Sequence, residues 1–272
     1  MYKELISDSI EFARQVRMDV AKINCRTMDS HIGGGYSAVD VMAVLYTKFL
    51  KLTRENLEDP NRNVFILSKG HIATTMYAVL AHAGLIPYED LDKHLVMGEK
   101  YAGHTRKFFA PGIEMSAGSL GHGSCVGCGM AYAKKIQNNA GKVYVLMGDG
   151  ECNEGSIWES AMFAARFNLS NLVFIVDRNN LQAYGRDVLN MGSLKEKFAA
   201  FGCEAIEVDG HNHEEINNVF EKINLSESEK PFAVIANTIK GKGVSYMEDR
   251  LEWHFKSPNE EQLEIALKEL SV

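Results

Sequence analysis

Five short apolar runs alternate along the chain with longer segments in which apolar residues recur at helical spacing. The apolar runs occupy residues 64–67, 143–147, 172–176, 204–208 and 232–236. The helical segments are predicted near residues 71–84, 123–138, 155–168, 194–201 and 214–224. Three of the runs are almost continuously apolar, which is typical of parallel strands buried on both faces. The pattern therefore predicts an α/β fold: a doubly wound, mostly parallel sheet with helices on both faces.

Both ends of the chain also carry helical patterns. Residues 1–24 mix charged and apolar side chains at helical spacing, which predicts an amphipathic helix rather than a signal peptide. A long loop and a helix near residues 260–270 are expected at the other end. Because no linker or internal repeat interrupts the pattern, we expect residues 1–272 to form a single domain with these two additions.

Polar sequence follows every predicted strand, and four of the five segments contain glycine. These segments are Ser-Lys-Gly-His at 68–71, Gly-Asp-Gly at 148–150, Asp-Arg-Asn-Asn at 177–180, Asp-Gly-His at 209–211 and Thr-Ile-Lys-Gly-Lys-Gly at 238–243. Ligands of open parallel sheets bind beyond the carboxyl ends of the strands. The sequence therefore predicts a binding site at that edge of the sheet.

Composition and charge argue against several classes of binding partner and indicate the cellular compartment. The formal net charge of −7 argues against a nucleic acid or an anionic membrane as partner. No apolar run approaches the ~18 residues that a membrane span needs. The five cysteines are an odd number without disulfide-type spacing, which favours the reducing cytoplasm. A phosphorylated ligand would have to be held by local devices such as a metal ion or backbone amides.

Cys125 and Cys128 form one C-x-x-C pair, which has two interpretations. The pair would be a redox couple or half of a zinc site in a functional interpretation. No second pair accompanies it, and small residues surround it at the start of a predicted helix. We therefore favour close packing of small side chains.

The most specific chemical signal joins two strand ends. Asp149 lies between two glycines after one predicted strand, and Asn179 follows the next strand, 30 residues further on. Carboxylate and amide oxygens are hard ligands suited to Mg²⁺ or Ca²⁺, and such sites commonly include phosphate oxygens. Each segment alone would most often be a turn. Together they predict a metal–phosphate site.

This pairing resembles the fingerprint of enzymes that bind thiamine diphosphate. In that family the Asp, the Asn and a backbone carbonyl two residues further on bind the metal. The resemblance assigns these roles to Asp149, Asn179 and the carbonyl of Leu181. The implied cofactors are thiamine diphosphate and Mg²⁺, with Ca²⁺ as a substitute ion.

Further motifs resemble those of transketolases. They are Gly-Asp-Gly-Glu-Cys-Asn-Glu-Gly at 148–155, Ser-Lys-Gly-His at 68–71, Gly-His at 103–104, the glycine-rich loop 112–123, Lys-Gly-Lys-Gly at 240–243 and Trp-His at 253–254. The resemblance extends from about residue 31 to residue 254. It implies that the cofactor is contacted by His71, Gly118, Leu120, Gly150, Glu151, Glu154, Asn179 and His254. For Glu154 two interpretations stay open: a charge at the start of a helix, or a residue near the subunit interface and the pyrimidine of the cofactor.

Nine histidines are present, and four occupy motif positions in predicted loops. A sugar substrate needs hydrogen bonds to its hydroxyls and the removal of at least one hydroxyl proton, which imidazoles can provide. The resemblance places these four in the substrate channel as catalytic candidates: His31, His71, His104 and His254. We assign helical positions to His82 and His94, loop shaping to His122, and a turn with a helix start, rather than metal binding, to His211 and His213.

The resemblance implies a reaction and a partner. The reaction is the transfer of a two-carbon ketol unit from a ketose, a sugar phosphate or a related acidic sugar, to an aldose. Single-chain transketolases continue into a domain that binds the pyrimidine and supplies a glutamate to it, and no segment here resembles that domain. We therefore expect the N-terminal subunit of a split transketolase, which is active only with a C-terminal subunit in an α2β2 assembly.

Two alternatives and one departure remain. Another thiamine-diphosphate enzyme, such as a deoxyxylulose-phosphate synthase or an oxoacid-decarboxylating subunit, would share the metal fingerprint, and a non-catalytic homologue could serve assembly.

The family commonly follows its second Gly-His with Pro and an acidic or small residue, whereas Thr105, Arg106 and Lys107 follow His104 here. The added positive charge is either drift on a solvated loop or a sign of an altered acidic group on the substrate.

Overall fold

The computed structural model describes residues 5–186 and 188–271. Its main sheet has five strands: β1 (Val64–Leu67), β2 (Val143–Gly148), β3 (Leu172–Arg178), β6 (Glu204–Asp209) and β7 (Phe232–Asn237). All neighbours are parallel, in the order β1-β2-β3-β7-β6. The strands β4 (Leu181–Gln182) and β5 (Gly185–Arg186) form a small antiparallel hairpin. The predicted parallel α/β fold is confirmed.

Helices cover both faces of the sheet. They are α1 (Ser9–Thr27), α2 (Ile32–Val44), α3 (Ala73–His82), α4 (His122–Ile136), α5 (Gly155–Arg166), α6 (Leu194–Ala200), α7 (His213–Leu225) and α8 (Glu260–Glu269). Alternate residues of β2 enter different cores: Tyr144 and Leu146 pack on one side, Val145 and Met147 on the other. Because both faces are covered, the central strands are apolar at nearly every position.

The N-terminal helical extension differs from its prediction. The chain turns at His31 into a second helix, α2, which continues into one π-helical turn at Leu45–Phe49. Every residue of α2 is buried. A helix that is buried all round lacks the amphipathic pattern by which a surface helix is found in a sequence. The start of α2 places His31 at the carboxyl edge of the sheet, where its backbone N–H donates to the carbonyl of His254.

Strand register brings the predicted polar segments together. Gly148 at the end of β2 pairs with Asp177 of β3, and Arg178 at the end of β3 pairs with Asn237 of β7. The residues after β1, β2, β3 and β7 therefore emerge at the same edge. Across residues 5–186 and 188–271, no helix is long and apolar enough to cross a membrane.

Candidate active site

A cleft of about 360 Å³ opens at the carboxyl ends of β1, β2, β3 and β7. It is lined by all the predicted site residues except Glu154: His31, His71, His104, Gly118, Leu120, Asp149, Gly150, Glu151, Asn179, Leu181 and His254. Loops from separate segments of the chain supply them. The structure thus brings into one cavity the residues that lie far apart in the sequence motifs.

Asp149 forms the floor of the cleft. Its Oδ1 accepts a hydrogen bond from the N–H of Gly150 at 2.7 Å, and its Oδ2 accepts from the N–H of Asn180 at 2.5 Å. Burial, together with the nearby Asp177 carboxylate, raises the pKa of Asp149. In the described part of the chain no Lys or Arg forms an ion pair with this carboxylate. A buried carboxylate that forms no direct ion pair is a favourable ligand for an added metal ion.

Asn179 is held in one orientation by Asp177. Its Nδ2 donates to Oδ2 of Asp177 at 3.2 Å, which leaves Oδ1 as the atom facing the other way. That Oδ1 accepts from the N–H of Leu181 at 3.1 Å. Asp177 is itself fully buried and accepts hydrogen bonds from Lys69, Ser37 and Thr238. This network stabilises the side chain that presents the amide oxygen.

The donor set fits a hard divalent cation. The available atoms are a carboxylate oxygen of Asp149, the amide oxygen of Asn179 and the carbonyl of Leu181, all lining the same cleft. Among the described residues, no group of three or more His, Cys, Asp or Glu side chains could hold a metal by itself. A metal here would therefore complete its coordination with oxygens from a ligand or water, as Mg²⁺ normally does.

The buried side chain of Glu151 links three of the segments that surround the cleft. Its Oε1 accepts from the hydroxyl of Ser68 and from the N–H of Gly121 at 2.8 Å, and its Oε2 accepts from the N–H of Gly148 at 3.1 Å. Burial raises the pKa of this carboxyl. Since both oxygens have protein partners, the side chain joins β1, β2 and the glycine-rich loop. Its backbone, rather than its carboxylate, remains available to a ligand.

Two glycines allow the glycine-rich loop to approach the strand ends. Gly121 has a φ of 82°, a left-handed conformation that favours glycine. A β-carbon at Gly70 would lie 2.4 Å from that of Ala117, so a larger residue would push the loop away from β1. Gly118 and Leu120 reach the cleft because of this close packing.

Three histidines form a cluster on one wall of the cleft. The ring of His31 lies 5.0 Å from that of His71 and 5.1 Å from that of His254, centre to centre. The rings of His71 and His254 are nearly parallel at 6.3 Å. His31 has a φ of 69°, a strained conformation for a residue with a side chain. The strain is consistent with a position set by the site.

These three imidazoles are neutral at physiological pH. Burial and the positive charge of Lys69 hold the pKa of His71 well below its usual range. Burial and Lys240 lower the pKa of His254 to about 3. Burial also lowers the pKa of His31, against the opposing effect of Asp29. A cluster of neutral imidazoles can accept protons from hydroxyl groups or donate hydrogen bonds to them.

His254 differs from the other two because one ring nitrogen is already engaged. Lys240 lies with its Nζ 2.8 Å from Nδ1 of His254. An ammonium can only donate, so Nδ1 accepts and the ring proton lies on Nε2. This geometry makes His254 a hydrogen-bond donor toward the cleft rather than a proton acceptor.

His104 and Glu154 lie at the margin of the site. His104 is exposed at the rim, where a β-carbon at Gly118 would lie 3.7 Å from its ring. Glu154 precedes α5 and is exposed outside the cleft. It packs beside Gly121 without a capping hydrogen bond from its side chain. Its position suits contact with another surface better than contact with a ligand in this cleft.

The remaining histidines and the cysteine pair have structural positions. His82 is buried in α3 and bonds Asp19 at 2.8 Å, whereas His94 follows a 3-10 turn instead of lying in a helix. His211 and the first residue of α7, His213, both bond Asp40.

Cys125 and Cys128 lie on α4, and the thiol of Cys128 contacts the carbonyl of Ser160 at 3.3 Å. All five cysteines are free in the structure.

The sequence motifs contain two further site residues that their pattern alone leaves without a role. Lys69 is buried and donates to the carbonyl of Gly34 at 3.0 Å and to Asp177. Lys240 is buried as well, and its Nζ donates to the carbonyl of Leu181 at 2.7 Å. Burial and Lys69 lower the pKa of Lys240 to about 8. The sequence signal that could have identified these two lysines is that each precedes a glycine and follows a buried strand by two or three residues.

Comparison with known proteins identifies the class. The family model described as "Transketolase, thiamine diphosphate binding domain" matches residues 7–270. The chain therefore belongs to the transketolase family, as a thiamine-diphosphate-binding domain. Transketolase from Leishmania mexicana superposes with a TM-score of 0.89 at 25% identity, over 98% of this chain and 42% of that one. The chain thus spans about two fifths of the length of such a transketolase.

Relatives of similar length narrow the class further. One is a subunit of the apulose-4-phosphate transketolase of Actinobacillus succinogenes, to which the chain is 40% identical over 95% of its own length and 94% of the relative. Another is a subunit of the 6-deoxy-6-sulfo-D-fructose transketolase of Clostridium sp. (strain MSTE9), with 37% identity over 88% of each chain. The predicted assignment to an N-terminal transketolase subunit is confirmed.

Proposed function

We propose that the chain is the metal- and diphosphate-binding subunit of a split transketolase that moves a two-carbon ketol unit from an acidic ketose to an aldose. The observation that carries this proposal is the single cleft in which an oxygen-ligand cluster faces three neutral histidines. Bound thiamine diphosphate supplies the carbon nucleophile and the electron sink of the reaction. We place the protein in the cytoplasm, in keeping with its free cysteines.

The oxygen cluster holds the metal and the diphosphate. Asp149, the amide oxygen of Asn179 and the carbonyl of Leu181 bind Mg²⁺, for which Ca²⁺ can substitute. Backbone groups of Gly150 and Glu151 face the same space. Gly118 and Leu120 of the glycine-rich loop line the same cleft, where they would contact the cofactor. Because the net charge of the chain is −7, such local contacts have to hold the diphosphate.

The histidines accept a proton from the sugar and form hydrogen bonds with its hydroxyl groups. His71 and His31 are the candidates for taking a hydroxyl proton, because their rings are neutral. His254 donates a hydrogen bond through Nε2, since Lys240 occupies its other nitrogen. His104 contacts the substrate at the rim. As this proton leaves, the neighbouring carbon–carbon bond would break: the hydroxyl would become the carbonyl of the released aldose, and the bound cofactor would take up the electron pair.

Substitutions separate the two histidine roles. His71→Ala is expected to lower kcat by about 10²–10⁴-fold, a typical contribution of a positioned proton-transfer group. His254→Ala is expected to lower kcat by about 10²–10³-fold, which is typical for the loss of a hydrogen-bond donor in an active site. His254→Gln should recover part of the loss because an amide still donates, whereas His71→Gln should not. Steady-state kinetics of the assembled enzyme measure both. His122→Ala, at an exposed position on α4, is the control and should stay within a few fold.

Equal recovery by both glutamine variants would contradict the division of roles. His82 is a poor control for turnover, because its ring is fully buried against Asp19. A substitution there would lower stability rather than report on chemistry.

The partner is a C-terminal transketolase subunit. The helices α4 and α5 carry apolar side chains that remain exposed, among them Ile136 at 60%, Met162 at 48% and Phe163 at 39%. The rings of Phe163 and Phe167 lie 4.5 Å apart, centre to centre, and are tilted by 45° to each other. Glu154 lies at the edge of this face, where contact with the partner and the pyrimidine is expected. The relatives of similar length are each named as one subunit of a transketolase, which supports a second chain, and we propose an α2β2 assembly.

The substrate carries an acidic group. Arg106 and Lys107 follow His104 at the rim, and the carbonyl of the intervening Thr105 accepts from Ala117 in the glycine-rich loop at 3.0 Å. Both cations are exposed, and neither forms an ion pair with any described residue. The relatives' names refer to one phosphorylated and one sulfonated sugar. These observations favour an anionic end on the sugar over drift.

The function is tested with the complex as it co-purifies. With thiamine diphosphate and Mg²⁺, the complex should transfer the ketol unit from a phosphorylated or sulfonated ketose faster than from a neutral ketose. Arg106→Ser with Lys107→Ser should raise KM for the anionic donor roughly tenfold, since exposed ion pairs contribute about 0.2–1 kcal/mol each. KM for the neutral ketose should not change. Lys222→Ser, at an exposed position on α7, serves as control.

The test distinguishes the rival functions. Release of CO₂ from an oxoacid without ketol transfer would indicate a decarboxylating enzyme instead. Absence of cofactor binding by the complex would indicate a homologue used only for assembly. Retention of the metal-site residues and all four channel histidines favours the catalytic alternative.

A further inference from the structure

Lys240 holds the carbonyl that the metal would need. Its Nζ lies 2.7 Å from the carbonyl oxygen of Leu181, the backbone ligand of the proposed metal site. The same ammonium bonds Nδ1 of His254 at 2.8 Å. The side chain is 2% exposed, and its stem lies against Gly33. The cation is therefore fixed between the oxygen cluster and the histidine cluster.

A divalent ion and this ammonium would share the carbonyl beside the Asp149 carboxylate, whose single negative charge does not balance both of them, and Asp177 is already paired with Lys69. Two cations within ~4 Å repel each other strongly in a buried site. Lys69 cannot take the place of Lys240, because the carbonyl of Gly34 and Asp177 already hold its ammonium. Binding of a metal should consequently move the ammonium off the Leu181 carbonyl, while its contact with Nδ1 of His254 persists. A diphosphate arriving in the cleft offers the displaced ammonium a new partner.

We propose that Lys240 engages one ligand of the metal site, the carbonyl of Leu181, in the cofactor-free protein and thereby couples the binding of metal and diphosphate. This inference rests on the proposed metal ligands. The metal alone binds weakly, because it must displace an ammonium that then loses its oxygen partner and keeps only Nδ1 of His254. The metal together with a diphosphate binds well, because the ammonium exchanges one oxygen partner for another. The chain is thus selective for the metal–diphosphate pair over either component.

The test uses the full chain, with Mn²⁺ as the probe and electron paramagnetic resonance to count free ion. Lys240→Met should bind Mn²⁺ alone about tenfold more tightly than the unsubstituted chain, because a charged hydrogen bond no longer has to be broken. The same variant should bind preformed Mn²⁺–diphosphate about tenfold more weakly. The opposite signs of the two changes are the expected result.

Lys242→Met is the matched control. Lys242 lies two residues away on the same loop, pairs with Glu248 and does not line the cleft. It removes the same charge and should leave both affinities nearly unchanged. Lys240→Gln provides a second variant if Lys240→Met fails to fold, as judged by circular dichroism, and should change both affinities in the same directions.

Unchanged or weaker binding of Mn²⁺ alone by both Lys240 variants would overturn the inference. Asp149→Asn separates that outcome from a failure of the proposed metal site. If Asp149→Asn loses Mn²⁺ binding while the Lys240 variants gain nothing, the site is correct and the coupling is wrong. If Asp149→Asn binds Mn²⁺ normally, the ligand assignment itself is wrong.

Discussion

Asp149→Ala is expected to abolish metal-dependent binding of thiamine diphosphate by the assembled enzyme. The substitution removes the one carboxylate of the proposed donor set and leaves an amide and a carbonyl, too few to hold Mg²⁺ against its hydration. It also frees the N–H groups of Gly150 and Asn180, which the carboxylate now fixes at 2.7 and 2.5 Å. Calorimetric titration of the cofactor, with and without Mg²⁺, measures the loss.

Two companion variants define what the result means. Asn179→Ala should come close to the same loss, because it removes the second side-chain ligand. Leu181→Ala should have little effect, since only the carbonyl of this residue is proposed as a ligand. Undiminished cofactor affinity in Asp149→Ala would show that the metal lies elsewhere.

The sheet could be predicted from the sequence because its strands satisfy a simple rule. A parallel strand with helices on both faces is apolar at consecutive positions, and the runs at 143–147 and 172–176 begin where β2 and β3 begin. The helix α2 could not be found in the same way. It is buried on all sides and starts at a residue with positive φ, so it has neither a polar face nor a capping side chain.

The site could be predicted where its chemistry lies in a local motif. Asp149, Asn179 and the channel histidines stand in short polar motifs at predicted loops, and the topology brings most of those motifs to one edge. Their long-range partners could not be predicted. Asp177, which orients Asn179, has the sequence context of a turn residue, and only the fold brings Lys69 to it from 108 residues away.

A motif also does not show which hydrogen bonds its residues form with other parts of the protein. The family resemblance assigns Glu151 to the cofactor, whereas the structure places both of its carboxylate oxygens on protein donors. Lys240 belongs to the Lys-Gly-Lys-Gly segment, which contributes to the family resemblance but assigns no contact to this lysine. Its contact with Leu181 connects residues 59 positions apart, which no local pattern encodes.

The largest expected effect concerns the partner: this chain alone should have no transketolase activity at any concentration tested. The cleft provides for the diphosphate and for sugar hydroxyls, and no predicted residue in it provides the glutamate that the pyrimidine requires in this family. The exposed apolar face of α4 and α5 is suited to a permanent interface, which commonly exceeds ~2,000 Å² and is more hydrophobic than a transient one.

The assay compares this chain by itself, the C-terminal subunit by itself, and the mixture of both, each with thiamine diphosphate, Mg²⁺ and an acidic ketose. Only the mixture should release aldose, and its rate should saturate as the second subunit is added. Phe163→Glu should shift that saturation to higher concentration by placing a charge in the interface. Leu225→Glu, on the exposed end of α7, should not shift it. Robust turnover by the isolated chain, with mass spectrometry excluding a co-purified partner, would rule the two-chain enzyme out.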